Sequence, residues 1–295
     1  MPLWIRESES AELAPAAPGM VAASQRFTVA GMAGRKAGLI GLTLISLLLA
    51  AAVLAPLIAT ADPFAISGPS LSGPSWNHPM GTDAIGRDLF SGVLHGTRMS
   101  LLIAATVGLL AASCGVGVGM ISGYYGGLVD DVLMRITEVF QVLPRFFLAA
   151  VAIALFGPGV DRLVIVLGLT SWPVLARVVR AEILATRQLD FVLSSEALGA
   201  SPMRVFWRVL LPQVLPSVLV LLGLLMGQVL LVEASLGFVG LGDPSVVTWG
   251  MLAGQAQGLL RAGWWLALFP GMAITAAVLG LNLTADALSS LVQRR

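Results

Sequence analysis

An all-α membrane protein with six transmembrane helices is the fold class that this 295-residue chain predicts. Three observations predict it. Apolar residues make up 57% of the chain and charged residues 11%, against about 25% charge in a soluble domain. The apolar residues gather into runs close to the ~20 residues that cross a bilayer as a helix. The cations fall unevenly among the gaps between those runs.

The elements follow in chain order. Residues 1–36 form an Ala/Ser/Pro-rich tail with Glu7, Glu9 and Glu12, which reads as mobile. The first span covers 37–59. Ala59-Thr60-Ala61 has the small-residue pattern of a signal cleavage site, but the apolar run is long for a signal and more than 30 residues precede it, so the helix reads as uncleaved. A polar loop, 60–99, leads to the second span at 100–123. There Gly115, Gly119 and Gly123 lie four apart, a spacing that lets helix backbones approach closely in lipid. The third span, 132–156, contains Arg135, Glu138 and Arg145. The fourth, 163–179, is short, and its Trp172-Pro173 predicts a kink. The fifth, 213–234, carries Gly223 and Gly227, again four apart. A second loop, 236–263, precedes the sixth span at 264–288. Both glycine patterns read as packing within the chain or against a second, homologous membrane subunit.

The positive-inside rule orients the chain. With the N-terminus in the cytoplasm, Arg87, Arg98, Arg162 and Arg261 are the only four of the 17 Lys and Arg on the outer side. Both termini and the segment 190–212 are then cytoplasmic, and 60–99, 157–162 and 236–263 are outside.

Composition excludes several functions. A net charge of +1 argues against nucleic acid as a partner. A lone Cys114 allows no intrachain disulfide, and two histidines, His78 and His95, supply no metal cluster. Neither HExxH nor GxSxG occurs. The single lysine, Lys36, lies in GRKAG, which lacks the glycine spacing and Ser/Thr of a P-loop. No metal or cofactor is expected on this chain.

Charged and polar residues inside spans are costly and read as functional by default. Glu138, Gln141 and Arg145 recur at about one turn each, which predicts one polar strip facing the bundle interior, with Glu233 as a further candidate along the pathway.

The segment 190–212, DFVLSSEALGASPMRVFWRVLLP, is the polar, arginine-bearing interruption between the fourth and fifth spans. It reads as two short helices joined by Gly199-Ala200-Ser201-Pro202. On the second, Arg204 and Arg208 share a face beside Met203, Phe206, Trp207, Leu210 and Leu211, as in an amphipathic helix lying along the membrane or docking into a soluble partner.

Here the residues resemble a family. Gly199, nine residues, Val209, one residue and Leu211-Pro212 resemble the G-x9-I-x-L-P half of the EAA loop of ABC-importer permeases. HPMGTDAIGRD at 78–88, GYYGG at 123–127 with Asp130 and Asp131, LGFVGLG at 236–242 with Trp249-Gly250, and WWLALFPG at 264–271 with Asn282 resemble that family's other segments, in the same order. Together they cover about 35–290 and are similar to the DppC/OppC-type subunit of the peptide/nickel group. The sequence departs from the family at Leu193-Ser194-Ser195, where the family has Glu-Ala-Ala. The acidic residue here is Glu196.

The resemblance implies a type I ABC importer permease fold with cytoplasmic coupling helices. Residues 37–295 would be the transmembrane domain and 190–212 the coupling region. It implies four kinds of neighbour: a DppB/OppB-like permease, two ABC ATPase subunits that hold ATP and Mg, an extracytoplasmic substrate-binding protein, and the lipid bilayer. Phe191, Glu196, Ala197, Gly199, Ala200, Ser201, Arg204 and Arg208 would couple to the ATPases. Asp83, Arg87 and Asp88 would lie on the outer face, ordering the loop or docking the binding protein. The implied cargo is di- or oligopeptides, with nickel or another small solute as the alternative. A stand-alone channel or secondary transporter would leave 190–212 unexplained.

Overall fold

The computed structural model describes residues 18–292, with side chains from 36 to 290. Of the expected tail, 1–17 lie outside the described residues. Helix α1 (Pro18–Ile58) starts before the apolar run, which occupies Lys36–Ile58. Then come α2 (Leu89–Tyr125), α3 (Gly127–Val142), α4 (Arg145–Phe156), α5 (Val160–Thr186), α6 (Asp190–Ala197), α7 (Pro202–Val205), a π turn (Phe206–Leu210), α8 (Leu211–Phe238), α9 (Trp249–Gln255) and α10 (Trp265–Val292). Five of these stretches are long and apolar enough to cross a bilayer. A bent pair, α3 with α4, makes a sixth when it is counted as one span.

That pair corrects the third expected span. Residues 132–156 are not one helix: α3 and α4 meet at 74° across Leu143-Pro144. Pro144 has no N–H to give α3 and disfavours helical backbone at the residue before it. Leu143 is accordingly extended, at φ −75° and ψ 121°. Pro173 behaves differently. It sits inside α5, which runs unbroken from Val160 to Thr186, longer at both ends than the expected 163–179.

Close backbone approach organises the bundle. Gly115, Gly119 and Gly123 of α2 lie against α5; a Cβ on Gly119 would sit 2.6 Å from the Ala176 carbonyl oxygen. Gly223 and Gly227 face Ala285 and Asn282 of α10. Gly38 and Gly41 of α1 press on Ala287 and Thr284 of α10. Both glycine ridges therefore pack within the chain. Around them lies one apolar core, with Ile103 and Val107 of α2, Leu175, Val179 and Ile183 of α5, and Leu225 and Leu230 of α8 all buried.

A smaller core sits under the 60–99 loop, where Leu89 and Val93 meet Val247, Leu252, Trp265 and Leu266. The loop is held by its backbone: Leu71 N–H donates to Asp83 O, Thr82 N–H to Ser72 O, and Leu89 N–H to Gly81 O. Gly81 (φ +80°) and Gly86 (φ +88°) make the turns between them.

Candidate functional site

At one end of the bundle α5 leads directly into the 190–212 segment. Val192, Val205 and Leu210 are fully buried and root it in the core. Between those anchors the chain stands out. Leu198 is 89% exposed, Met203 65% and Trp207 63%. Phe191, Ala197, Gly199, Ser201, Arg204 and Arg208 are exposed, and Ala200 is half-buried. Gly199 turns the chain at φ +83°, with nothing within 4 Å of where a Cβ would point. Ser201 is extended and Pro202 occupies the first position of α7, as a proline does at a helix start.

The second short helix is not a separate element. From Pro202 the chain runs through the π turn at Phe206–Leu210 into α8, so the helix along the membrane is corrected to the root of a transmembrane helix. Burial gives the reason. Val205 and Leu210 are five apart and both fully buried. An α-helix would set them about 140° apart, whereas the i→i+5 bonding of a π turn brings them toward one side.

A clamp fastens this end of the molecule. Arg180 on α5 donates to the Asp130 carboxylate, as does the Ser122 hydroxyl. Arg187 donates to the last carbonyls of α2, Gly123 O at 3.1 Å and Tyr124 O at 3.0 Å. Tyr124 reaches across, its hydroxyl donating to Glu196 Oε1 at 2.7 Å. The Tyr124 ring stands edge-on to Phe206 of the π turn, centroids 4.8 Å apart. Glu196 thus ties α6 to α2 within the chain. Sequence reasoning singled out Tyr124 and Asp130 only as parts of a motif. It missed Arg180 and Arg187, whose partners lie 50 or more residues away.

The intramembrane candidates separate. Glu138 pairs with Arg135 at 3.3 Å and with Arg177 of α5 at 3.9 Å. Gln141 is exposed. Arg145 turns instead to α8, donating to Gln228 Oε1 at 3.5 Å. The expected single strip through 138, 141 and 145 does not form, because the break at Pro144 sends Arg145 off the face of α3. Glu233 lies elsewhere again, buried between α8, α2 and α9. The Ser100 hydroxyl reaches its carboxylate at 3.4 Å, and Trp249 N–H donates to Ser100 Oγ at 3.1 Å.

At the opposite end, Asp83, Arg87 and Asp88 order the loop. Asp83 accepts from the N–H groups of Ile85 and Arg87 at 2.9 and 2.8 Å. Arg87 stacks over Phe64 at 5.4 Å. Asp88 caps α2, accepting from Ser91 N–H at 2.8 Å, Ser91 Oγ at 2.7 Å and Thr60 Oγ1 at 2.8 Å, beside His78 Nδ1 at 2.9 Å. Burial pushes the Asp88 carboxyl up, but these bonds together hold it below the ordinary carboxylate range. Its stabilisation is therefore present above about pH 4, the ordinary value, and is lost as pH falls through the lower folded value. Asp88→Ala is expected to cost about 1–2 kcal/mol, as removal of a helix cap does, while Asp88→Asn keeps the cap. Thermal unfolding from pH 3 to 7 checks both. A wild-type melting temperature that falls in acid no more than the alanine variant's would remove Asp88 from the account.

Residues 115–295 match the family described as the binding-protein-dependent transport system inner membrane component. The chain is 33% identical over 261 residues to the dipeptide transport system permease protein DppC of Haemophilus influenzae, covering 86% of this chain and 88% of that one. It is 32% identical over 264 residues to the di/tripeptide transport system permease protein DppC of Pseudomonas aeruginosa, covering 87% of each. The inward-facing MetNI methionine ABC transporter superposes with a TM-score of 0.55 at 20% identity, over 70% of this chain and 97% of that one. At that identity the likeness is one of fold.

Proposed function

Because the chain belongs to the binding-protein-dependent transport system inner membrane component family, we propose that it is the permease subunit of an ATP-driven importer of dipeptides and other short peptides. One observation carries the mechanism: the exposed turn at Leu198–Pro202, held out from a segment whose roots are buried. The positive-inside bias sets this turn and both termini in the cytoplasm. Two ABC ATPases, holding ATP and Mg, receive the turns of this chain and of a homologous permease. A binding protein delivers cargo to the outer face, where the 60–99 loop lies.

The mechanical path is short. A push on the Gly199 turn reaches α5 through residues 187–189 and α2 through the Tyr124–Glu196 bond. It reaches α8 directly, since α7, the π turn and α8 are one helix. Phe206 meets Tyr124 at the junction of these paths. ATP-driven closure then favours whichever bundle arrangement fits the closed ATPases better, and only that difference in affinity can shift the equilibrium.

The test is ATPase activity of the reconstituted complex with its binding protein, over a panel of di- to hexapeptides and nickel. Stimulation by dipeptides is expected, with nickel inert. Stimulation by nickel alone would reassign the cargo, and activity without any ATPase partner would reject the importer reading.

A further inference from the structure

We infer that Arg145 and Gln228 form a cargo-binding station at the middle of the membrane that takes the C-terminal carboxylate of a passing peptide; this rests on the peptide reading above. Depth is the first observation. From Arg145 to Phe156 α4 rises about 17 Å, and from Gln228 to Phe238 α8 rises about 15 Å, at ~1.5 Å per residue. Both helices end at the same side of the bundle, since Ile153, Gly159 and Val160 share a small cavity with Glu233, Leu236 and Asp243. Measured along the two helix axes, the pair thus lies about 15–17 Å from the end they share, about half the thickness of a ~30 Å core.

Charge is the second observation. On α5, Arg177 pairs with Glu138 and Arg180 with Asp130, and Arg162 spends its donors on the Gly157 and Pro158 carbonyls. Arg145 stands in none of the ion pairs formed among the described residues. Its one side-chain partner is the amide oxygen of Gln228 at 3.5 Å. A guanidinium has five N–H donors, so most of its donors remain free.

Exposure is the third. Gln228 is exposed while Gly227, Val229 and Leu230 beside it are buried, and Arg145 is half-buried. Ionisable groups inside the membrane face the bundle interior or a water-filled cavity rather than hydrocarbon, and the exposure of Gln228 favours the cavity. A planar guanidinium matches a carboxylate with two parallel hydrogen bonds, and Gln228 meets one edge of it at 3.5 Å. A zwitterionic peptide carries one such carboxylate whatever its side chains, which suits a station that must accept many sequences.

The test uses the reconstituted transporter with its binding protein, loaded with dialanine or dialanine amide, in wild type, Arg145→Gln and Arg145→Lys. Comparing each variant with wild type for one peptide cancels the binding protein's own preference. Arg145→Gln is expected to lower dialanine uptake about tenfold, the size of a lost charge-assisted hydrogen bond, and to leave amide uptake within about twofold. Arg145→Lys should restore most of the difference. Equal loss for both peptides, or loss of the partner permease on purification, would make Arg145 a packing or interface residue and overturn the station. Unchanged dialanine uptake in Arg145→Gln would overturn it as well. Should wild type carry neither peptide, the cargo reading fails first. Should it carry only the free acid, dialanine uptake and co-purification across Gln and Lys decide: loss in an assembled Gln variant with recovery in Lys supports the station, and any other pattern overturns it.

Discussion

Replacing Gly119 by leucine is expected to leave little folded permease, with the yield of monodisperse protein after detergent extraction falling about tenfold or more. A Cβ at that position would lie 2.6 Å from the Ala176 carbonyl oxygen and 2.7 Å from Val179 Cβ. Overpacking a core costs about 1–3 kcal/mol when side chains can shift. Here the obstacle is backbone, so α2 and α5 must part along a seam whose inward residues, Ala176 and Val179, are fully buried. In lipid, that seam rests on close van der Waals contact rather than on a hydrophobic drive. A penalty of 1–2 kcal/mol already changes the folded-to-unfolded ratio 5- to 30-fold. Gly117, one residue pair away, has nothing within 4 Å of a Cβ, and Gly117→Leu should extract like wild type. Equal yields for the two variants would mean that α2 and α5 are not in such contact.

Gly199→Trp is expected to separate ATP hydrolysis from transport in a complex that still assembles. The position holds φ +83° in open space, so two effects combine. Any L side chain pays about 1–2 kcal/mol for left-handed backbone, and an indole adds bulk to the tip of the exposed turn. Gly199→Ala isolates the first effect, because alanine brings the strained backbone with only a methyl group. If the turn enters the ATPases, peptide-stimulated hydrolysis should fall to its basal level in the tryptophan variant and persist in the alanine variant. Full coupling in Gly199→Trp would show that force enters elsewhere, and equal loss in both would point to the backbone rather than to a groove.

Much of the fold is legible because membranes enforce simple periods. A four-residue glycine repeat announces a close helix contact, and residues 115, 119 and 123 make one. What the repeat lacks is the identity of the facing helix. The two prolines illustrate a second limit. Pro144 breaks a span and Pro173 does not, though each follows an apolar residue within an apolar run. The difference lies in packing: Trp172, Leu175 and Ala176 are buried around Pro173, whereas Leu143 and Pro144 are exposed and are free to turn. Glu196 marks the third limit. Its place one turn after the expected carboxylate is visible in the sequence, but its partner Tyr124 is 72 residues away. The arginine clamps on Asp130 and on the end of α2 are hidden for the same reason.

The π turn has a consequence for how the chain tolerates insertions and deletions. One residue of α-helix is worth about 100° of rotation, and a π turn holds one residue more than the α turn it replaces. Everything beyond Leu210 is therefore phased by that extra residue: Gly223 and Gly227 against α10, Gln228 toward Arg145, and Glu233 toward Ser100. Losing one residue between Phe206 and Leu210 would keep the helix continuous and its apolar character intact. It would nonetheless rotate all four groups away from their partners at once. Length between the Gly199 turn and the middle of α8 is thus a shared setting, and drift there would be seen as the simultaneous failure of contacts that no single side chain connects.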